Sequence, residues 1–195
     1  MEAPVSCNAS TIEIVNRQRT RKINSRSLKK IVGELFSELK ITEAELGIHL
    51  VGAKEMTEVN WKFLQHEGST DVITFDHQES EVRSQESELK LNGELFICVD
   101  DAVKQAKEFG TSWQSEVVRY IVHGVLHLIG YDDLKPQLRR MMKREESRLV
   151  RLLKTSGVIR LARPVGRASS RAGRRQTKRL ARTLAPPKRP PKIRA

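Results

Sequence analysis

At 195 residues, 38% of them hydrophobic and 31% charged, the chain can bury one substantial core but not comfortably two. Its two cysteines, Cys7 and Cys98, lie far apart and suggest no disulfide framework, which suits a reducing cytosol; Met1–Ser10 has no apolar signal core and no apolar run reaches membrane-spanning length. The net charge of +12 is carried by the C-terminus: residues 156–195 hold thirteen Lys or Arg and no Asp or Glu, which leaves 23 basic against 24 acidic residues, a net of −1, in residues 1–155.

Residues 1–11 read as an N-terminal extension, and residues 12–155 as a single α+β domain. From Thr11 to Asn16, apolar Ile12 and Ile14 alternate with polar neighbours, as in a half-buried strand. Ser25 or Ser27 can cap a helix whose stripe is Leu28, Ile31, Val32, Leu35, Phe36 and Leu39. A turn carrying Thr42-x-x-Glu45 leads into a second strand, Gly47 to Val51. Glu55 to Gln65 then suits a helix, with Met56, Val59, Trp61, Phe63 and Leu64 expected in the core.

Two short β-prone runs follow, Val72 to Phe75 and Leu95 to Val99, joined by a polar segment from His77 to Asn92. That segment carries Glu79, Glu81, Glu86 and Glu88, and its acidity argues against contact with an anionic partner. Asp100 is placed to open a helix through Ala102, Val103, Ala106 and Phe109 that Gly110 closes. The connections are long enough for helices between strands, which predicts a small mixed sheet of about four strands packed with helices.

Ser112 can cap the next helix, and here the sequence carries chemistry. His123 and His127 are four apart, so they share a helix face and can reach one cation. The surrounding Val117, Val118, Ile121, Val122, Val125 and Leu126 would sink both rings into an apolar surface, where a polar group needs a partner and a metal supplies one. Gly130 can end the helix in the left-handed conformation and turn the chain back, bringing the Asp133 carboxylate to the same point. The spacing His-x3-His-x2-Gly-x2-Asp is that of a metzincin zinc site, but Gly124 stands where a protease carries its general-base glutamate. A hydrolytic metal site that is not a peptidase fits this pattern, and Asp132 is placed to orient a ligand from behind. Two histidines and a carboxylate are also the ligand set of non-haem iron oxygenases, so the metal identity stays open between zinc and iron.

Pro136 can start a last helix with a stripe of Leu138, Met141, Met142, Leu149, Leu152 and Leu153. Residues 156–195 hold five of the seven prolines and few large apolar residues, so they are expected to form a disordered basic tail. Arg171, Arg174, Arg175, Lys178, Arg179 and Arg182 form its densest part and suit contacts with an anionic partner such as a phosphate backbone, without sequence readout.

The run His-Gly-x-Leu-His-Leu-x-Gly-Tyr-Asp, from His123 to Asp132, resembles the signature of the YbeY-type endoribonucleases, or rRNA maturation factors. Thr70-Asp71-Val72-Ile73-Thr74-Phe75 is similar to the family's Thr-Asp-Val-Leu-Ser-Phe segment, and Gly93-Glu94-Leu95-Phe96-Ile97 to its Gly-Asp/Glu-Ile strand. The three fall in the family's order and span roughly residues 12 to 155. The resemblance implies a zinc-dependent endoribonuclease that prefers single strands and acts in maturation of the 16S rRNA 3′ end and in ribosome quality control, with the small ribosomal subunit as partner and the cytoplasm as location. It makes His123 and His127 zinc ligands, places Asp133 where most members have a third histidine, and brings Thr70 and Asp71 to the border of the cleft as candidate catalytic groups; their alternative role is a hydrogen-bonded turn before the strand. Leu64 falls where many members carry an arginine, and leucine can neither donate a hydrogen bond nor stabilise an anion. A catalytically weak RNA-binding factor with a structural metal is therefore the second reading.

Overall fold

The computed structural model describes residues 9–78 and 89–155. Its elements, in order, are β1 (Ala9–Asn16), α1 (Ser25–Leu39), β2 (Ile41–Val51), α2 (Ala53–Leu64), β3 (Val72–Asp76), β4 (Leu89–Cys98), α3 (Val99–Phe109), α4 (Trp113–Leu128) and α5 (Pro136–Thr155). The expected α+β class and four-stranded mixed sheet are both present. The sheet order is β1-β2-β4-β3; β1/β2 and β2/β4 are parallel, whereas β3 pairs antiparallel to β4 at one edge. The expected N-terminal extension over residues 1–11 is shorter, because residues 9–11 already belong to β1 and pair with Glu43, Ala44 and Glu45 of β2; residues 1–8, the four-glutamate segment and the basic tail lie outside the described residues.

Alternation along the central strands sorts the core into two layers. Ala44, Leu46, Ile48 and Leu50 of β2, with Leu91, Leu95 and Ile97 of β4, face a large cluster that α1, α4 and α5 complete through Leu28, Phe36, Ile121, Val125 and Leu149. Val51 and Cys98 point the other way and join Met56 of α2 and Ile73 of β3 in a smaller cluster. Helix α4, which carries His123 and His127, therefore lies in the heavily packed layer.

Five local expectations change. Asn24, not either serine, caps α1 by accepting from Ser27 N at 3.1 Å; both serines fall inside the first turn that it caps. The Thr42-x-x-Glu45 segment is not a turn but the first part of β2, because pairing on both sides satisfies its backbone and Ala44 is buried. Likewise β4 begins at Leu89 rather than Leu95, in register with Ile41 of β2. Asp100 lies within the first turn of α3 and sends its carboxylate to α2 instead, where Oδ2 accepts from Ala53 N at 2.7 Å. The expected burial of α2 also fails in part: Trp61 and Phe63 are 57% and 52% exposed, while Met56 is fully buried.

Candidate metal centre

Ser112 starts α4 as expected, its hydroxyl accepting from Ser115 N at 3.2 Å. Five residues on, Val117 begins an apolar stripe that is fully buried, so the helix has no freedom to rotate about its axis. Gly124 lets it approach the sheet. A Cβ at this position would lie 2.5 Å from Leu95 Cδ2 and 3.3 Å from Thr74 Oγ1, so the glutamate of a zinc protease has no room here.

The helix ends in a Schellman motif centred on Gly130. Tyr131 N donates to Leu126 O and Gly130 N to His127 O, both at 2.9 Å, with Gly130 at φ +96°. This turn places the Tyr131 carbonyl against the ring of His127, where Nδ1 lies 3.0 Å from it. Tyr131 packs against the main core, and Asp132 Oδ1 accepts from Leu134 N at 2.9 Å, which tightens the segment bearing Asp133.

The two imidazoles converge through their Nε2 atoms, 3.1 Å apart, with rings nearly perpendicular at 81°. Each Nδ1 faces an acceptor: the Tyr131 carbonyl for His127, and Glu146 Oε2 at 3.1 Å for His123. Both acceptors suit a ring that carries its proton on Nδ1, the tautomer in which Nε2 is the nitrogen offered to a cation. Two imidazole nitrogens on one tetrahedral zinc would stand about 3.3 Å apart, close to the separation seen. One donor atom each from His123, His127 and Asp133 lies within 4.8 Å of the others, and all three residues are half-buried. The residues present fit a metal ion.

The sequence did not single out the groups behind this trio. Glu146 of α5 reaches across to His123 and also accepts from Arg119 Nη1 at 2.6 Å; Arg119 Nε lies 3.3 Å from Glu116 Oε2, and Glu116 Oε1 accepts from Thr111 Oγ1 at 2.6 Å. Burial would raise the Glu146 carboxyl, but hydrogen bonds from His123 and Arg119 outweigh it and hold the group below the usual carboxylate value. A signal was present: Glu146 sits between Met142 and Leu149 on the buried stripe of α5, a charged residue at an apolar position.

Thr70 and Asp71 shape the start of β3. Asp71 Oδ1 accepts from Val72 N at 3.1 Å and from Thr70 Oγ1 at 3.2 Å, and Asp71 O accepts from Cys98 N at 2.9 Å. Burial first, and then the nearby Asp71 charge, push the phenol of Tyr120 on α4 above its usual pKa. Leu64 packs with Val59 and Phe75 against the smaller cluster, which gives an apolar side chain there a structural purpose. Arg171, Arg174, Arg175, Lys178, Arg179 and Arg182 fall outside the described residues.

The family model described as endoribonuclease YbeY matches residues 13–154. The chain belongs to the YbeY family. Among its relatives, the endoribonuclease YbeY of Chlorobium phaeovibrioides is 32% identical over 143 residues, covering 73% of this chain and 90% of that one. The YbeY of Syntrophotalea carbinolica is 33% identical over 144 residues, covering 72% of this chain and 95% of its own. A solution structure of TM1509 from Thermotoga maritima shares the fold at a TM-score of 0.55 and 23% identity, covering 80% of this chain and all of that one. The YbeY match ends at the last turn of α5, so the basic tail is additional to the matched part.

Proposed function

We propose that this chain is a metal-dependent endoribonuclease, a hydrolase that cuts single-stranded RNA. The convergence of the His123 and His127 Nε2 atoms with the Asp133 carboxylate carries this reading, in a chain whose relatives are named endoribonucleases. Its finer form is a zinc enzyme of the cytoplasm that works on ribosomal RNA, at the 3′ end of 16S RNA and in ribosome quality control, with the small ribosomal subunit as its partner. The domain division follows, with the first boundary moved to the start of β1: residues 1–8 as an extension, 9–155 as the nuclease and 156–195 as a basic segment for RNA. Among the described residues, no helix is long and apolar enough to cross a membrane.

His123, His127 and Asp133 would hold the ion, leaving a position for substrate or water. When bound, zinc supplies a Lewis acid for a phosphoryl oxygen and acidifies water towards a pKa of about 7. Glu146 and the Tyr131 carbonyl keep both rings presenting Nε2, while Gly124 brings α4 close against the sheet. Asp133 lowers the net charge of the centre relative to three imidazoles, which weakens its pull on the phosphoryl oxygen. Thr70 and Asp71 are the groups we assign to the cleft border, with Asp71→Asn testing whether its charge serves the reaction.

Wild type, His127→Ala and metal-stripped protein, each incubated with single-stranded and structured 16S precursor fragments, test the proposal. Cleavage by wild type alone, restored to stripped protein by zinc, is expected. Equal cleavage by all three would mark a contaminating nuclease. The second reading, an RNA-binding factor with a structural metal, rests on Leu64 standing where many members of the family carry an arginine; intact binding with no cleavage by any sample would establish it. Elemental analysis of protein purified without added metal decides between zinc and iron.

A further inference from the structure

We infer that Glu146 is the positioning residue of the metal centre: its carboxylate, delivered by α5, fixes the His123 ring and strengthens Nε2 as a donor. This rests on reading His123, His127 and Asp133 as a metal site. The geometry is a relay rather than an isolated contact. Glu146 Oε2 accepts from His123 Nδ1 at 3.1 Å, while Oε1 is pinned by Arg119 Nη1 at 2.6 Å, so neither oxygen is left to rotate. Arg119 is held in turn by Glu116, which accepts from Thr111 just before α4 begins. The carboxylate end is well covered, with the Glu146 side chain 12% exposed and that of Glu116 only 4%. In such surroundings a charge-assisted hydrogen bond holds its geometry better than one open to water.

The two imidazoles are consequently not equivalent. His127 gives its Nδ1 proton to a neutral backbone carbonyl that the Gly130 turn supplies, whereas His123 gives its own to an anion. A carboxylate behind an imidazole raises the electron density at the opposite nitrogen and fixes the tautomer, so His123 should be the stronger of the two nitrogen donors. It also restores negative charge around a centre that already contains Asp133, favouring a divalent cation over a monovalent one. Helix α5, which contributes no ligand, thus becomes part of the binding site.

The test measures Zn²⁺ affinity directly, by competition with a chromophoric chelator, on the full chain. Glu146→Ala is expected to weaken binding about 10–100-fold, the usual cost of removing such a partner. Glu146→Gln, which keeps an oxygen for the Nδ1 proton but loses the charge, should fall between it and wild type. Substitution with Co²⁺ adds a spectroscopic reading, in which both variants should shift the visible bands of the bound ion. Glu145→Ala, whose carboxylate engages Arg148 instead, is the control and should bind as wild type does. If Glu146→Ala fails to fold by circular dichroism, the near-isosteric glutamine variant carries the test. Unchanged Zn²⁺ affinity and Co²⁺ spectra in the Gln variant, with wild type binding tightly, would overturn the positioning role alone. Absence of Zn²⁺ and Co²⁺ binding by wild type would remove the metal-site reading and this inference with it.

Discussion

Gly124 lies so close against Leu95 that one added methyl group would meet Leu95 Cδ2 at 2.5 Å, and Leu95 is itself fully buried. The contact sets how near α4, with His123 and His127, comes to β4. Gly124→Ala would gain about 1 kcal/mol of helix propensity but force Leu95 from a packed position. A net loss of roughly 1–2 kcal/mol is expected, taking overpacking at up to about 3 kcal/mol. Urea unfolding of metal-free protein measures it, and a midpoint at or above wild type would show that the close approach is not needed.

Asp133→His supplies a neutral donor in place of a carboxylate. The centre gains positive charge, so metal binding should persist while cleavage of single-stranded RNA at neutral pH becomes faster. Single-turnover rates with metal content measured on the same samples decide it. A fully loaded variant that cuts more slowly would mean that the carboxylate does more than ligate.

Burial pushes the Cys98 thiol up to about 12, aided by the nearby Asp101 charge. Only the thiolate attacks a disulfide reagent, so at mildly alkaline pH almost none of Cys98 is reactive. In a Cys7→Ser chain, Ellman's reagent should release no colour until denaturant is added. Reactivity would rise only as pH approaches that raised value. Rapid labelling of the folded variant would place Cys98 at an accessible surface instead.

Deletion of residues 156–195 removes thirteen basic residues and no acidic ones. Affinity for single-stranded RNA should fall, and so should the slope of log affinity against log salt, by about 0.7 for each phosphate that the tail no longer neutralises. Filter binding over a salt series reads both. Identical slopes for the deleted and full chains would take the tail out of RNA binding.

What the amino-acid order revealed depended on how local the cause was. His123, His127 and Gly130 could be read directly because a helix face and a glycine turn are decided within a few residues, and the Schellman hydrogen bonds fall where the glycine implies. The first half of β2 could not. Its Thr42-x-x-Glu45 run is extended because β1 and β4 flank it, a fact about partners distant in the chain. Glu146 escaped for a similar reason: its own helix gives it no task, and His123 is supplied by another. Trp61 and Phe63 follow the apolar alphabet of α2 but not its buried face, which Met56 and Asn60 define.

The three donors and the outer carboxylate all come from one stretch, Glu116 to Glu146, a pair of helices joined by a short turn. His123 and Glu146 are 23 residues apart, whereas Ile48 finds Leu95 across roughly twice that length of chain. The additional closure entropy is only about 0.6 kcal/mol, but helical hairpins form through local contacts and parallel strands through remote ones, so the hairpin has the kinetic advantage. A metal held by this hairpin would therefore act on the segment with the more local contacts, and is expected to accelerate formation of the native state as well as stabilise it once formed.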